Sequence, residues 1–392
     1  MKGIHRLVAG ILGVGLILSG CGCRSHGVKI GGPGGLQEIP VGDFSSLTGD
    51  TATFGTSTHN GLALAIEQAN AAGGVKNLPI KLYTEDDQSM PDVARTVVTK
   101  LITEDHVIAV VGEVASTRSL AAAPICQQYK IPMITPASTN PAVTQKGDYI
   151  FRTCFTDDFQ AAVMAHFARD QGYKRVAVFK DIRNDYSMGI AKIFEAEFTK
   201  LGGTITGEQT YQEGDTDFKA QLNSLKGQNP DAVLIPGYYS EVGTIARQAR
   251  EIGLNVPLLG CDGWDSPKLI QAAGNALNGC YFSDHYFSKD IKDPAMQKFF
   301  ADYKAKYGYS PDALAALGFD AGNLLVDALK RAKSLTPADL RDAIATTKDF
   351  PGITGKITID ANRNARKAAI IMKIVGEQKV LYKVYTPEEI DQ

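Results

Sequence analysis

An α/β protein of two similar doubly wound lobes, each around a parallel central sheet, is the fold class the sequence predicts. Three observations carry it. The first is length, since 392 residues make roughly two domains. The second is the alternation of short, continuously apolar, β-rich runs with amphipathic helical stretches, the pattern of parallel strands covered on both faces. The third is that this rhythm stops and restarts at "FRTCFTDDFQ", Phe151–Gln160, where a strand gives way to a polar turn and then a helix. Two units of one rhythm argue for two lobes rather than one large sheet.

The first unit opens with "IPVGDF" from Ile39, followed by a helix near Thr56–Ala72 with Leu62, Ile66 and Ala69 on one face. "IKLYTED" precedes a helix carrying Val93, Val97 and Leu101, "VIAVVG" precedes one near Ser116–Tyr129, and "PMIT" follows. In the second unit the strands are "YKRVAVFKD", "GTITGEQTY", "PDAVLIPGYY", "VPLLGCDGW" and "GCYFSDHYF". Helices are expected between them near Tyr186–Leu201, Asp217–Leu225 and Ser240–Ile252. After Tyr286 come helices at Pro294–Tyr307, Ala313–Ala332 and Thr336–Thr347, then strand-like "GKITID", "AAIIMKIV" and "KVLYKVY". A tail this small must complete one or both lobes, and repeated crossings between lobes make a hinge.

Apolar residues are 44% and charged residues 21% of the chain, enough material for two cores. A net charge of −2 gives no basic surface of the kind nucleic acid needs. Lys2, His5 and Arg6 precede the apolar run Leu7–Leu18, too short to span a bilayer comfortably, which is the layout of an export signal. "LSGC", Leu18–Cys21, resembles a bacterial lipobox, so that cleavage before Cys21 and acylation of Cys21 are expected; an uncleaved anchor or a plain signal is the alternative. The Gly-rich stretch from Cys21 to Glu38 reads as a flexible tether with a reach of roughly 20 Å. With Cys21 lipidated, five cysteines remain, and no pairing is assigned. Cys261 and Cys280 sit near opposite ends of their strands if those strands are parallel neighbours.

Phosphate-loop, zinc-protease, nucleophile-elbow and Cys-x-x-Cys motifs are absent from the sequence. "DANRN", Asp360–Asn364, starts like a calcium loop but has Ala365 and Ile371 where that loop needs Gly and an acid, so it reads as a surface turn. His285, beside Asp284 at the expected crossover, reads as a hinge or surface residue. No metal or cofactor is expected.

Ligands of parallel α/β sheets lie outside the carboxyl ends of the strands. There the first unit offers Ser116, Thr117, Ser138 and Thr139, together with the amino end of the helix at Ser116. Hydroxyls and unpaired N–H groups suit a carboxylate. The second unit offers Tyr186, Tyr238, Tyr239 and Asp262, and an acid beside aromatic rings suits an ammonium. Singly, each is equally well a cap, a turn residue or a packing ring. Together they make a divided site for a zwitterion.

From about Ile39 to near the C-terminus the chain resembles the branched-chain amino-acid type of periplasmic binding protein. The resemblance is carried by "FSSLTGDTATFG", "NGLALAIEQANAAGGV", "VVGEVAST", "PMITPASTNPAVT", "GYYSEVGTIARQAREIGL" and "GCDGWDSPKL", in that order. It implies two lobes on a three-strand hinge that close on ligand. It implies lobe one from 39–157 plus 286–360 and lobe two from 158–285 plus 361–392, after a signal at 1–20 and a tether at 21–38.

The resemblance places Ser116 and Thr139 on the ligand's carboxylate and amino group, with the Ala137 carbonyl and Ser138 beside them. Asp262 falls on the ammonium, Tyr238 against the ligand, Tyr186 at the cleft mouth and Phe54 beside the side-chain pocket. Asp262 is an acid one methylene shorter than the Glu of some members, which leaves the preferred side chain open. A monomer that delivers an amino acid to an ABC permease is implied. A sensing module for a receptor and the binding of another small carboxylate or amide are the alternatives. An enzyme would need a base beside Ser116 or Thr139, and neither has a neighbouring His or Lys in the sequence.

Overall fold

A computed structural model describes residues 37–286 and 293–390. The expected export signal, Cys21 and the tether up to residue 36 lie outside the described residues. Chain order in the first half is β1 (Ile39–Ser45), α1 (Ala52–Ala71), β2 (Ile80–Asp86), α2 (Pro91–Thr103), β3 (Ala109–Val111), α3 (Ser116–Tyr129), β4 (Met133–Thr135) and β5 (Ile150–Arg152). Its strands form one five-stranded parallel sheet in the order β2–β1–β3–β4–β5. Every residue of β1, β3, β4 and β5 is buried, whereas the edge strand β2 is mostly half-buried. That division is why the central strands read as unbroken apolar runs.

The pattern restarts with α4 (Asp157–Asp170), β6 (Arg175–Asp181), α5 (Asp185–Lys200), β7 (Thr204–Tyr211), α6 (Lys219–Gly227) and β8 (Ala232–Leu234). It continues with α7 (Tyr239–Glu251), β9 (Leu258–Gly260), α8 (Pro267–Ala273) and β10 (Tyr281–Asp284). Next come α9 (Pro294–Tyr307), α10 (Ala313–Arg331), α11 (Pro337–Ala345), the small ribbon β11 (Phe350–Gly352) with β12 (Gly355–Ile357), and the hairpin β13 (Ala369–Val375) and β14 (Gln378–Tyr385).

The second sheet has seven strands in the order β14–β13–β10–β9–β8–β6–β7. Its β6 to β10 portion is parallel, but β13 pairs antiparallel with β10 and β14 antiparallel with β13. The reason is topological. Just before β13 the chain is still against the first sheet, where the Arg152 N–H donates to the Arg363 carbonyl at 3.1 Å. A chain returning from that side enters β13 beside the carboxyl end of β10, and so runs opposite to it.

Although α10 follows β10, it packs on α1, in the layer of the first sheet. The crossing is close because two glycines permit it: a Cβ at Gly61 would sit 2.0 Å from the Ala315 carbonyl, and one at Gly318 2.2 Å from that of Thr58. Between the sheets the chain therefore passes three times, after β5, after β10 and before β13. Cys126, Cys154, Cys261 and Cys280 are free and buried. Leu259 of β9 faces Tyr281 of the parallel β10, which puts Cys261 and Cys280 beyond opposite ends of the pair. Asp360 does turn work, as its Oδ1 accepts from the N–H groups of Asn362 and Asn364 at 2.8 and 2.9 Å.

Candidate ligand cleft

The first face of the cleft is the pair of loops after β3 and β4. Glu113 organises them from beneath. Its carboxylate accepts from the Ala115 N–H at 2.6 Å, the Arg118 Nε at 3.0 Å and the Ser46 hydroxyl at 3.0 Å. Arg118 extends the network to the Thr51 hydroxyl at 2.7 Å. Asp87 closes it, with its Oδ1 2.6 Å from the Ser46 Oγ, and burial, reinforced by Glu113, pushes its carboxyl up to about 7. None of these residues was expected as part of the site. A Glu followed five residues later by an Arg at the start of a helix was the available signal.

In "PASTNP" the two hydroxyls do different jobs. Ser138 is not at the cleft surface: its Oγ donates back to the Glu113 carbonyl at 2.8 Å and lies 2.7 Å from the Ser119 Oγ. The backbone turns that side chain inward, where it ties the loop after β4 to the loop after β3. Thr139, Ala137 and Val114 line the cleft. Ser116, the first residue of α3, accepts from the Asn140 N–H at 3.2 Å, which joins the two loops at the amino end of the helix. Arg152 grips the segment from behind, donating to the Ser138 carbonyl at 2.6 Å and the Asn140 carbonyl at 2.8 Å.

The second face belongs to the ends of β8 and β9. Asp262 opens a single helical turn after β9 and is 7% exposed. Its Oδ1 accepts from the Tyr186 hydroxyl at 2.8 Å, which itself accepts from the Gly263 N–H at 2.9 Å. These two bonds draw Tyr186 inward. It is 2% exposed and supports the acid from within, where a place at the cleft mouth was expected. Burial pushes its phenol well above the ordinary range, with Asp262 adding to the effect, so it stays a donor. The Asp262 Oδ2 lies 2.9 Å from the Nε2 of His285. His285 is thus neither a surface residue nor idle, because its position past β10 carries it under the cleft. Tyr238, at the amino end of α7, stacks on Tyr186 with ring centres 5.1 Å apart.

The faces are closed on each other. Phe54 of α1 meets Tyr238 and Tyr239 edge-on at 5.4 and 4.8 Å. The Tyr239 hydroxyl donates to the Asp50 carbonyl at 2.9 Å and accepts from the Thr53 N–H at 3.3 Å. On the other side, the Asn140 amide donates to the Asp185 carbonyl at 2.9 Å and the Asp185 N–H to the Thr117 hydroxyl at 3.1 Å. Phe54, Val114, Ala137, Thr139, Tyr186, Tyr238, Asp262, Gly263 and Leu314 enclose about 10 Å³, scarcely a water's worth. A small-molecule ligand has room there only when the faces part.

Of the expected residues, Phe54, Ala137, Thr139, Tyr186, Tyr238 and Asp262 share this space, whereas Ser116 is not in its lining and bonds the Asn140 N–H next to Thr139, and Ser138 lies behind it. Leu314 arrives from α10, and no local feature of its sequence marks it. Asp157, at the start of α4, is a second buried acid nearby. One of its oxygens has no partner among the described residues, and burial, together with Asp262, pushes its carboxyl up to about 8. A larger space of about 720 Å³ lies beside Asp265, Asp312 and Lys379. Two of its acids are matched there, Asp265 to Lys379 and the Ala313 N–H, and Asp312 to the Ser57 hydroxyl and the Ala315 N–H.

Two doubly wound sheets meeting at their carboxyl ends, with one face of backbone donors and hydroxyls and the other of an acid and rings, define a two-lobed small-molecule binding protein. The Periplasmic binding protein family matches residues 38–378, and this chain belongs to it. Membership places it outside the cytoplasm, in a family of solute-binding rather than catalytic proteins. A leucine-binding protein, LivK, from Thermotoga maritima is 39% identical and superposes with a TM-score of 0.86, over 90% of this chain and 99% of that one. LivJ from Streptococcus pneumoniae, solved with isoleucine, is 33% identical with a TM-score of 0.85, over 89% and 100%. The leucine-, isoleucine-, valine-, threonine- and alanine-binding protein of Pseudomonas aeruginosa is 30% identical, over 83% of this chain and 86% of its own length.

Proposed function

We propose that this protein captures a free aliphatic amino acid, a branched-chain one foremost, and delivers it to an ABC permease. The observation that carries the reading is the joining of Thr139 and Asp262, from opposite faces, in one small space walled by Val114, Ala137, Leu314, Phe54 and Tyr238. The α-carboxylate lies toward Ser116, Thr139 and the amino end of α3, where main-chain N–H groups are free to donate. The ammonium lies against Asp262, with the Ala137 carbonyl and the Thr139 hydroxyl completing its shell. An apolar side chain projects toward Val114, Leu314 and Phe54, and its burial contributes about 1.5–3 kcal/mol. The leucine, isoleucine and valine named for the relatives fit this division of polar and apolar walls.

Binding begins on the first face, and closure brings Asp262 and Tyr238 over the ligand and expels water. The protein performs no chemistry on the ligand and acts as a monomer. The sequence around Cys21 supports a lipid anchor that keeps it beside the permease. Residues 39–157 with 286–360, and 158–285 with 361–392, are the two bodies that move.

Calorimetric titration of ligand-stripped protein with leucine, isoleucine, valine, alanine and phenylalanine tests the reading. Micromolar or tighter binding of an aliphatic member is expected. Silence across the panel would move the ligand to another small acid or amide and withdraw the role given to Asp262. The anchor is tested by labelled fatty acid incorporation in cells, which Cys21→Ala should abolish.

A further inference from the structure

His285 lies outside the cleft wall, yet it is the group most closely tied to the acid inside it. Its Nε2 is 2.9 Å from the Asp262 Oδ2, and its side chain is 1% exposed. The ring lies flat on Phe155, with centres 3.7 Å apart and planes 22° from parallel. The backbone N–H of His285 donates to the Asp284 carboxylate at 2.7 Å, which holds the main chain as well. Its Nδ1, buried on the far side of the ring, has no partner among the described residues.

We infer that His285 is a positioning residue for ligand capture: as a neutral imidazole it holds Asp262 where, and in the charge state in which, the ligand's ammonium is received. The inference rests on the amino-acid reading above. Its physical basis is the asymmetry of the ring's surroundings. With one proton on Nε2 the imidazole donates to Asp262, and Nδ1 remains a bare lone pair that needs nothing. A second proton would place an N–H at Nδ1 with no acceptor and a cation among buried groups. Burial pushes this imidazole below its ordinary value of 6.5, against the pull of Asp262.

A neutral donor steers the carboxylate and leaves its charge for the ligand. An imidazolium would neutralise that charge and repel the ammonium. The other ionisable groups around the pair include Asp265, from the same turn as Asp262, Asp284, whose carboxylate accepts from the His285 N–H, Lys367 ahead of β13, Lys379 of β14, and the buried thiols of Cys154 and Cys261 with the phenol of Tyr238. Asp157 of α4 and Tyr186 of α5 act on it through Asp262. Position gives the contact a further meaning. His285 stands where the chain leaves the second sheet after β10, and Phe155 where it arrives after β5. The support of Asp262 is therefore held between two of the three passages that bend when the faces part.

Two variants of the full chain separate this role from simple packing. His285→Phe keeps a flat ring on Phe155 and removes the donor, whereas His285→Gln keeps an N–H donor near Nε2 and cannot gain a proton. Leucine affinity, measured by calorimetry from pH 5 to pH 8, is the readout. At pH 7.5, His285→Phe should bind about tenfold or more weakly, and His285→Gln within about threefold of wild type. Wild-type affinity should fall at the acid end as the ring charges, and His285→Gln should fall less. Asp157 titrates in both proteins, so the difference between the two profiles reports the imidazole. Wild-type affinity in His285→Phe, or an undiminished acid-side fall in His285→Gln, would overturn the inference. His285→Gln decides the matter alone if His285→Phe does not fold. A wild-type protein that binds no amino acid at any pH would overturn the amino-acid reading and this inference with it.

Discussion

The two faces of the cleft are built on different principles. The first presents main-chain groups and short hydroxyls, and its supports stay on the side of the first sheet: Glu113, Arg118 and Ser138 bond among the segments after β1, β3 and β4, and Arg152 of β5 holds them from behind. The second presents the ends of side chains, and its acid is supported by Tyr186 on α5 and by His285 on the passage after β10. A face of backbone keeps its geometry whether or not the cleft is closed. A face of side chains held by distant elements is right only when those elements are in place. The contrast fits a rigid receptor with a conditional lid.

The largest expected effect tests the rigidity of the first face. Glu113→Ala strands the buried Arg118, whose remaining acidic neighbour Asp87 is 4.0 Å away. The ligand-free protein should lose about 3–5 kcal/mol of stability in urea unfolding. A loss below about 1 kcal/mol would mean that Asp87 replaces Glu113 and that the face is less dependent on one acid than it looks.

Asp262→Ala leaves the buried Tyr186 and His285 donors without their acceptor, at a cost of about 1–3 kcal/mol to the ligand-free fold, and should weaken binding of a zwitterion by about 3 kcal/mol, because it strands a buried ammonium. Near-normal affinity by calorimetry would remove the ammonium from the second face altogether. Asp157 offers a pH test. Its folded-state value stands at about 8 against 3.8 for an ordinary Asp, so the folded form holds the proton more tightly than the unfolded one. Stability of the ligand-free protein should therefore decline as pH rises from about 4 towards 8. Asp157→Asn should flatten that decline in thermal unfolding, and an unchanged slope would assign it to other groups.

The smallest expected effect concerns the contact between faces. Tyr239→Phe deletes the hydroxyl that bridges Asp50 and Thr53 and should cost about 1 kcal/mol of the closed state. Stopped-flow release of ligand should speed up several-fold, and an unchanged off-rate would show that closure does not depend on this bond.

Much of the scaffold was legible because it is written in local periodicity. The buried strands are unbroken apolar runs, and α9 and α10 begin at the residues that the caps Asp293 and Asp312 mark. Strand direction is not local. Nothing in "AAIIMKIV" distinguishes a parallel strand from the antiparallel β13, which is settled by the side from which the chain returns. The short α8 and β11 carry too few residues for a period to appear.

The site divides in the same way. Thr139, Tyr186, Tyr238 and Asp262 could be picked out because they lie near strand ends or helix starts, where ligands of this fold sit, whereas Phe54 came only from the family resemblance. What the chain by itself determined is the two-unit α/β pattern and the hydroxyl-rich and acidic-aromatic segments at the strand ends. Tertiary structure alone decided that Ser138 turns away, that Leu314 enters the wall, and that His285 lies beneath Asp262. A side chain's direction, and its partner many residues off, follow from packing in three dimensions, on which local sequence has no purchase.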